Sequence, residues 1–459
     1  MKNRKSNSLD LTTGSVWGKY LSFVLPILAS NLLQNLYNAA DKAVVGQYAG
    51  DHALAAVGST GSAINLLICL FTGLAIGANV VCANMRGARN MRDLRRAMHT
   101  AILLAAITGV AVAVIGMSVT RPFLQLMSSP PEVIDLATVY MRIYFVGVPF
   151  SLLYNYGAGI LRAYGDTKRP MIILALSGLV NVGFNLVFVI FCGMDVDGVA
   201  WATVISQMVA AVVVLWILFK PDGGYDLNIR ELKIHKRELI TIVKVGLPCG
   251  FNGMVFSFSN VIIQSSVNSL GDLVVAGNVA ADSVTALIYQ VIASCYSANV
   301  SFSGQCFGAR NYKRIDRMLV VSVSVSVGII ALLALLGTLF PNVLMGLFTS
   351  SEAVMQSGYS KLMIVSWGYL IYCLSENFMG ALRGMRRSTV PTLINVLGVC
   401  LPRILWVAFA FPLNRTVGFL YLCYPISWVL SSLCQGLYFF HVRRLIKKEN
   451  LQEAVSVIS

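Results

Sequence analysis

The sequence has few charged residues for its length. Charged residues make up only 12% of the 459 residues, 57% are hydrophobic, and the mean hydropathy is +0.73. Soluble domains do not have this balance. Repeated apolar runs reach the roughly 20 residues that cross a bilayer. The composition therefore excludes a soluble globular protein and predicts an integral membrane protein.

Motifs for catalysis and for metal binding are also missing. The ten cysteines include no C-x-x-C pair, and the four histidines lie in loops or near the ends of apolar runs, without an H-E-x-x-H motif. A membrane enzyme needs a clustered nucleophile, base or metal site. We therefore expect neither an enzyme nor a bound cofactor, and we expect the cysteines to be small buried hydrophobic side chains.

The net charge of +15 is strongly basic, but its distribution argues against nucleic acid as a partner. Most of the 35 Lys and Arg residues fall in every second connection between apolar runs. The positive-inside rule produces this pattern in polytopic membrane proteins. The pattern predicts a multi-pass protein of the cell membrane, in contact with membrane lipid, whose two termini are cytoplasmic.

Hydropathy predicts twelve transmembrane helices and therefore an all-α integral membrane fold. The longest inner connection separates two groups of six helices. The predicted organisation is a cytoplasmic tail at 1–16, an N-lobe at 17–219, a cytoplasmic loop at 220–240, a C-lobe at 241–440 and a second cytoplasmic tail at 441–459.

Four short motifs recur at a constant offset of 221 residues. They are Gly50-Asp51 with Gly271-Asp272, Gly87-Ala88-Arg89-Asn90 with Gly308-Ala309-Arg310-Asn311, Leu161-Arg162 with Leu382-Arg383, and Pro170 with Pro391. A single offset shared by four pairs of motifs indicates an internal duplication. Because six is an even number, both halves enter the membrane from the same side, and the sequence predicts two parallel six-helix repeats.

The first apolar run carries an acid, Asp41, near its far end. An ionisable group inside a span is costly and by default faces a protein interior or a water-filled cavity. At helical spacing Gln34, Asn38 and Asp41 share one face, with Tyr37 beside them. This polar stripe needs partners from other helices, and Pro26 makes the helix easy to bend below it.

Several motifs resemble one family of transporters. They are Leu25-Pro26, Leu36-Tyr37-Asn38 with Asp41, Val45-Gly46, Leu54-Ala55-Ala56-Val57-Gly58, Gly159-Ile160-Leu161-Arg162, Gly165-Asp166-Thr167-Lys168 and Gly380-Ala381-Leu382-Arg383-Gly384. Together they resemble the multidrug and toxic compound extrusion (MATE) transporters, in a prokaryotic DinF-like or NorM-like form, over nearly the whole chain. The resemblance implies two six-helix lobes around a central cleft. It also implies export of organic, often cationic, compounds driven by entry of H⁺ or Na⁺.

In the DinF-like branch, an acid on the first helix meets an Asn and an Asp on the fifth helix, a Tyr on the fourth and a Thr on the sixth. The resemblance assigns these positions to Asp41, Asn181, Asn185, Tyr140 and Thr203. Asn185 replaces the fifth-helix acid and has no titratable proton, so we do not expect a two-carboxylate site here. Lys42 directly follows Asp41, and the sequence leaves open whether the two side chains pair.

The second half has charged residues of its own within its spans. Asp282 lies on the eighth span and has no partner visible in the sequence, Glu376 lies on the tenth, and Arg403 lies on the eleventh. The NorM-like branch places acids on its seventh and tenth helices, whereas the seventh span here offers Asn260 and Gln264 and no acid. A pair between Glu376 and Arg403 stays open as a hypothesis.

These observations predict a secondary active transporter that exports organic cations or drugs in antiport with H⁺ or Na⁺, acts as a monomer and works by alternating access of its two lobes. A flippase for a lipid-linked precursor and a channel are the alternatives. The residues predicted to couple transport to the driving ion are Asp41, Asn181, Asn185, Asp282, Glu376 and Arg403. The residues predicted to bind substrate are Gln34, Tyr37, Asn38, Tyr140, Thr203 and Gln264.

Overall fold

The computed structural model describes residues 9–458, apart from 50, 127–130, 221–224 and 226. Within these residues the chain is helical almost throughout and contains no strand. The first half contains α1 (Val16–Val44), α2 (Asp51–Gly87), α3 (Met91–Leu126), α4 (Pro131–Ala163), α5 (Lys168–Leu186) and α6 (Val196–Phe219). The second half contains α7 (Lys236–Asn268), α8 (Asp272–Gly308), α9 (Tyr312–Leu339), α10 (Glu352–Gly384), α11 (Thr389–Leu413) and α12 (Val417–Tyr421 and Cys423–Ile458).

Several of these helices contain irregular turns or proline. Helix α1 continues through Pro26 and is followed by a π-helical turn, Val45–Ala49. Helix α11 combines short α-helical pieces with the π-helical turns Val396–Cys400 and Trp406–Ala410. Backbone irregularities of this kind are tolerated at membrane depth where neighbouring helices satisfy the freed backbone groups.

Eleven of the twelve long segments within the described residues are apolar enough to cross a membrane. The remaining segment, α10, is 33 residues long but is more polar. The prediction of an all-α integral membrane protein with twelve transmembrane helices in two repeats is confirmed. The extra polarity of α10 has a structural reason, because three of its charged side chains, Lys361, Glu376 and Arg383, are buried.

The internal duplication is visible in the helix boundaries. Helices α2 and α8 begin and end 221 residues apart, as do α4 and α10, and the starts of α3 and α9, α5 and α11, and α6 and α12 keep the same offset. Unusual backbone positions also repeat, because Arg89 and Arg310 both adopt φ of 55° after equivalent helices. The duplicated motifs therefore mark equivalent turns in the two halves.

The chain divides into two compact units. The first unit extends to Met254 and includes Gly304–Arg314, and the second comprises Val255–Ser303 and the chain from Ile315 onward. The first part of α7 belongs to the first unit because glycines let its backbone approach that of α2 closely. A Cβ atom on Gly73 would overlap the backbone of Gly250. Small residues that permit such close approach are common at membrane helix interfaces.

An N-terminal strap, residues 9–14, is fixed within the first unit. Leu11 is fully buried, and its amide donates a hydrogen bond to Gln305 Oε1 at 3.0 Å. The guanidinium of Arg314 donates to three backbone carbonyls of the strap, at 2.6 Å to Leu11, 2.6 Å to Thr13 and 2.7 Å to Gly14. One side chain therefore provides hydrogen-bond donors for three buried or half-buried carbonyls, which lie outside any helix.

Replacing Arg314 by Met should destabilise the first unit by about 2–4 kcal/mol, because three charge-assisted hydrogen bonds are lost and their acceptors stay partly buried. Thermal unfolding of the purified protein in detergent measures this change. Arg317→Met on the same helix is the matched control, because Arg317 is exposed. Equal melting temperatures for the two variants would contradict the role assigned to Arg314.

Candidate functional site

The first unit encloses a polar cavity of about 260 Å³, here called the first-unit cavity. Residues from α1, α4, α5 and α6 line it. Seven of the residues predicted from the sequence are among them, namely Gln34, Tyr37, Asn38, Asp41, Tyr140, Asn181 and Thr203. The polar stripe of α1 therefore meets the fourth, fifth and sixth helices as the resemblance implied, although the roles of these residues in transport stay predictions.

A chain of side-chain hydrogen bonds connects Asp41 to α5 and α6. The amide nitrogen of Asn185 donates to Asp41 Oδ1 and, at 3.3 Å, to Asn181 Oδ1. Asn181 in turn donates to Thr203 Oγ1 at 3.4 Å, and Thr203 donates to the carbonyl of Val199 at 3.0 Å. Asn185 thus occupies the position next to the acid that the family resemblance gave it. The side chain of Lys42 lies outside the described residues, so its pairing with Asp41 stays open.

Asn185 has an acceptor that the hydrogen-bond chain does not use. Its side chain is fully buried, and its Oδ1 atom has no hydrogen-bond partner. Asp41, Asn181, Asn185 and Thr203 thus contribute side-chain oxygen atoms to one connected hydrogen-bond chain. Carboxylate, carbonyl and hydroxyl oxygens suit a hard cation, and a carboxylate alone can hold a proton.

Close contact between α1 and α5 sets the position of the stripe. The Tyr37 ring lies against Gly178, where a Cβ atom would overlap the ring, and the Tyr37 hydroxyl donates to the carbonyl of Ala175 at 3.1 Å. Tyr37 is therefore held by α5 rather than free in the cavity. The same contact brings the following turn of α1, with Asp41, toward Asn185.

Sequence reasoning missed several other polar residues that line this cavity. They are Tyr144, Ser151, Asn155, Ser177, Ser206 and Gln207. A signal for some of them was available, because Tyr140, Tyr144, Ser151 and Asn155 follow a helical repeat along one face of α4. The cavity wall on α4 could have been predicted from that spacing.

The second unit has a separate cavity of about 340 Å³, here called the second-unit cavity. Asp282 and Gln264, both predicted from the sequence, line it, and so does Lys361, which the sequence analysis missed. Lys361 forms an ion pair with Asp282 Oδ1 and donates to Asn278 Oδ1 at 2.7 Å. Asn278 donates to Gln264 Oε1 and to Asp282 Oδ2, at 3.2 Å each. Asp282 therefore has a cationic partner that the sequence did not reveal.

An aromatic cluster forms another wall of the second-unit cavity. Its members are Tyr289, Tyr369, Tyr372, Tyr424 and Trp428. Neighbouring rings lie 5.1–6.4 Å apart, at offset or tilted angles that aromatic pairs favour. The second-unit cavity is therefore more apolar than the first-unit cavity.

The hypothesis that Glu376 pairs with Arg403 is wrong. Arg403 is fully buried, donates from Nε to Ser427 at 3.2 Å, and has no hydrogen-bond partner for either Nη atom. Its guanidinium carbon lies 4.4 Å from the ring centroid of Tyr424, so aromatic faces stabilise the charge. Glu376 lies near the charge of Arg383 and the hydroxyl of Tyr372 instead. Neither Glu376 nor Arg403 is among the residues that line the second-unit cavity.

Among the described residues, no group of three or more His, Cys, Asp or Glu side chains could hold a metal ion. The candidate sites therefore contain one acid each, Asp41 or Asp282, and otherwise neutral or cationic side chains.

The family model described as MatE matches residues 26–187 and 248–407, which together exceed half of the chain. This chain belongs to the MatE family. As a member of this family, the chain is a multi-pass membrane transporter and not an enzyme.

Known proteins similar to this MatE-family chain span most of its length. A probable multidrug resistance protein, YoeA of Bacillus subtilis, is 28% identical over 84% of this chain and 85% of its own length. A probable multidrug resistance protein NorM of Thermotoga maritima is 25% identical over 84% and 83%. The structure of a MOP superfamily transporter from Pyrococcus furiosus matches with a TM-score of 0.90 at 22% identity, over 97% of this chain and 100% of that one. This last likeness shows a shared fold.

Substituting Gly178 by Ala should displace the Tyr37 ring, break the bond from its hydroxyl to Ala175 and destabilise the protein by about 1–3 kcal/mol. Thermal unfolding in detergent tests this. Gly183→Ala on the same helix is the control, because a Cβ there meets open space and alanine favours the helix by up to about 1 kcal/mol. A Gly178→Ala variant as stable as the control would show that Tyr37 does not hold α1 against α5.

Proposed function

We propose that this chain is a multidrug efflux transporter of the cell membrane, and that it exports organic cations in exchange for H⁺ or Na⁺. Two similar proteins, YoeA and NorM, are named probable multidrug resistance proteins, which supports export of drug-like compounds. The basic inner connections support cytoplasmic termini. We further propose that the chain acts as a monomer.

The single observation that carries the proposal is the position of Asp41. It lines a polar cavity inside an apolar helix bundle, and its hydrogen-bonded partner is a neutral amide of Asn185. A carboxylate in such surroundings is costly unless it holds a proton, a metal ion or a cationic substrate. These three guests compete for one group, so binding of one favours release of another.

This competition provides coupling if the site faces one side of the membrane at a time. The site switches readily from one side of the membrane to the other when the charge of Asp41 is neutralised. A driving ion that binds from one side then replaces a substrate, which leaves on that same side. By linkage, bound substrate lowers the affinity for the driving ion by the same factor as the ion lowers the affinity for substrate.

Asp41 is a better candidate for this role than the acids of the second unit. Asp282 already holds the ammonium of Lys361. Glu376 is 8% exposed and is not among the residues that line the second-unit cavity. A coupling acid needs contact with both the ion and the substrate path, and the first-unit cavity offers Asp41 that contact.

Changing Asp41 to Asn should reduce efflux driven by an ion gradient by about tenfold or more, within the usual range of coupling free energies, because an amide cannot exchange a proton or balance a cation. Efflux of a fluorescent organic cation from proteoliposomes, with pH and sodium gradients imposed separately, measures the effect and identifies the driving ion.

The matched control is Asp195→Asn, since Asp195 is an exposed acid outside the cavity. The control should transport like the unsubstituted protein. Gradient-driven efflux at full rate from Asp41→Asn liposomes, at equal protein content, would remove Asp41 from the mechanism.

A further inference from the structure

The second-unit cavity already contains a cation that belongs to the protein. Lys361, on α10, is only 4% exposed. The side chain of Asp282, in contrast, is 54% exposed where it lines the cavity. The carboxylate therefore faces the open space, and a buried ammonium occupies the position behind it.

The groups around the Lys361 ammonium are of the kinds that bind an amine ligand. It contacts Asp282 Oδ1, donates to Asn278 Oδ1 at 2.7 Å and lies 5.5 Å from the ring centroid of Tyr421. A carboxylate, a carbonyl oxygen and an aromatic face together satisfy an ammonium group. The Tyr421 hydroxyl also donates to Asn278 Oδ1 at 2.8 Å, which fixes that acceptor.

Both oxygens of the Asp282 carboxylate are in use. Oδ1 holds Lys361, and Oδ2 accepts from Asn278 at 3.2 Å. A free cation that approached this carboxylate would meet a charge that Lys361 already balances and would be repelled by the Lys361 ammonium. The exposed face of Asp282 is therefore a poor site for a second cation while Lys361 is present.

We propose that Lys361 is a tethered ammonium that fills an amine site in the second-unit cavity, so that the cavity binds a free primary alkylammonium only when the Lys361 ammonium is removed. The aromatic cluster beside the site provides apolar contact for the alkyl part of such a ligand. In the intact protein Lys361 thus confines binding of free cations to the first-unit cavity. This inference does not depend on the direction or the driving ion of transport.

The test replaces the tethered group with a free one. Lys361→Ala removes three methylene groups and the ammonium, and propylammonium supplies the same atoms. Propylammonium at saturating concentration should raise the melting temperature of the full-length Lys361→Ala protein in detergent by about 2–4 °C through mass action. The unsubstituted protein should show no such rise.

Two further variants separate the amine site from general effects of salt or of packing. In Lys361→Met an apolar chain fills the space, so propylammonium should have no effect. In the double variant Lys361→Ala with Asp282→Asn the carboxylate is absent, and the amine should bind about tenfold more weakly or worse. Lys361→Ser leaves a similar space and is measured in parallel in case the Ala variant does not fold.

Stabilisation of Lys361→Ala or Lys361→Ser by propylammonium, without effect on the unsubstituted protein or on Lys361→Met, supports the proposal. An equal rise in all variants, or no rise in either small-residue variant, overturns it. These outcomes do not involve Asp41, so they are distinct from failure of the proposed transport mechanism.

Discussion

A carboxylate inside an apolar helix bundle requires a partner that is itself held in place, and this constraint shapes the interior of both units. Asp41 is bonded to Asn185, which is positioned by Asn181 on the same helix. Asp282 is paired with Lys361, which Asn278 also contacts. In both units an asparagine next to the acid uses its donor on the carboxylate. The two partners differ in charge. The neutral amide of Asn185 leaves Asp41 able to accept a cation, whereas the ammonium of Lys361 already balances the charge of Asp282.

The two halves share a scaffold, but the side chains in the interior have diverged. At the common offset, Tyr140 on α4 corresponds to Lys361 on α10, and both line the cavity of their unit. Three small or polar side chains of the first-unit cavity correspond to large aromatic ones that line the second-unit cavity. The pairs are Ser151 with Tyr372, Thr203 with Tyr424, and Gln207 with Trp428. Duplication therefore fixed where the cavities lie, and later substitution decided their chemistry.

The fold could be predicted from the sequence because membrane helices are long, apolar and bounded by basic connections. Much of the first-unit cavity could also be predicted. Helical spacing places Gln34, Asn38 and Asp41 on one face, and the family resemblance supplied Asn181 and Thr203 as partners on two other helices. Both kinds of signal lie in short local patterns, which sequence reasoning interprets well.

The second unit was harder to predict for a physical reason. Lys361 and Asp282 are 79 residues apart, and only packing of α10 against α8 brings them together. The expected partner of Arg403 was a carboxylate, since a buried guanidinium normally needs one. Aromatic faces of Tyr424, Trp428 and Phe256 take that role instead, and the sequence contains too many aromatic residues to single these out.

The hydrogen bonds from Arg314 depend on where the main-chain oxygens of the N-terminal strap lie, because no side chain of the strap accepts them. Arg314 donates three hydrogen bonds to main-chain oxygens of the strap. The side chains of Thr12 and Thr13 do not provide these acceptors, although both donate hydrogen bonds to the carboxylate of Asp10. The insertion or deletion of a single amino acid between Leu11 and Gly14 would change the register of these carbonyls relative to Arg314. Arg314 thus constrains the length of this part of the chain, and the fully buried side chain of Leu11 constrains its composition.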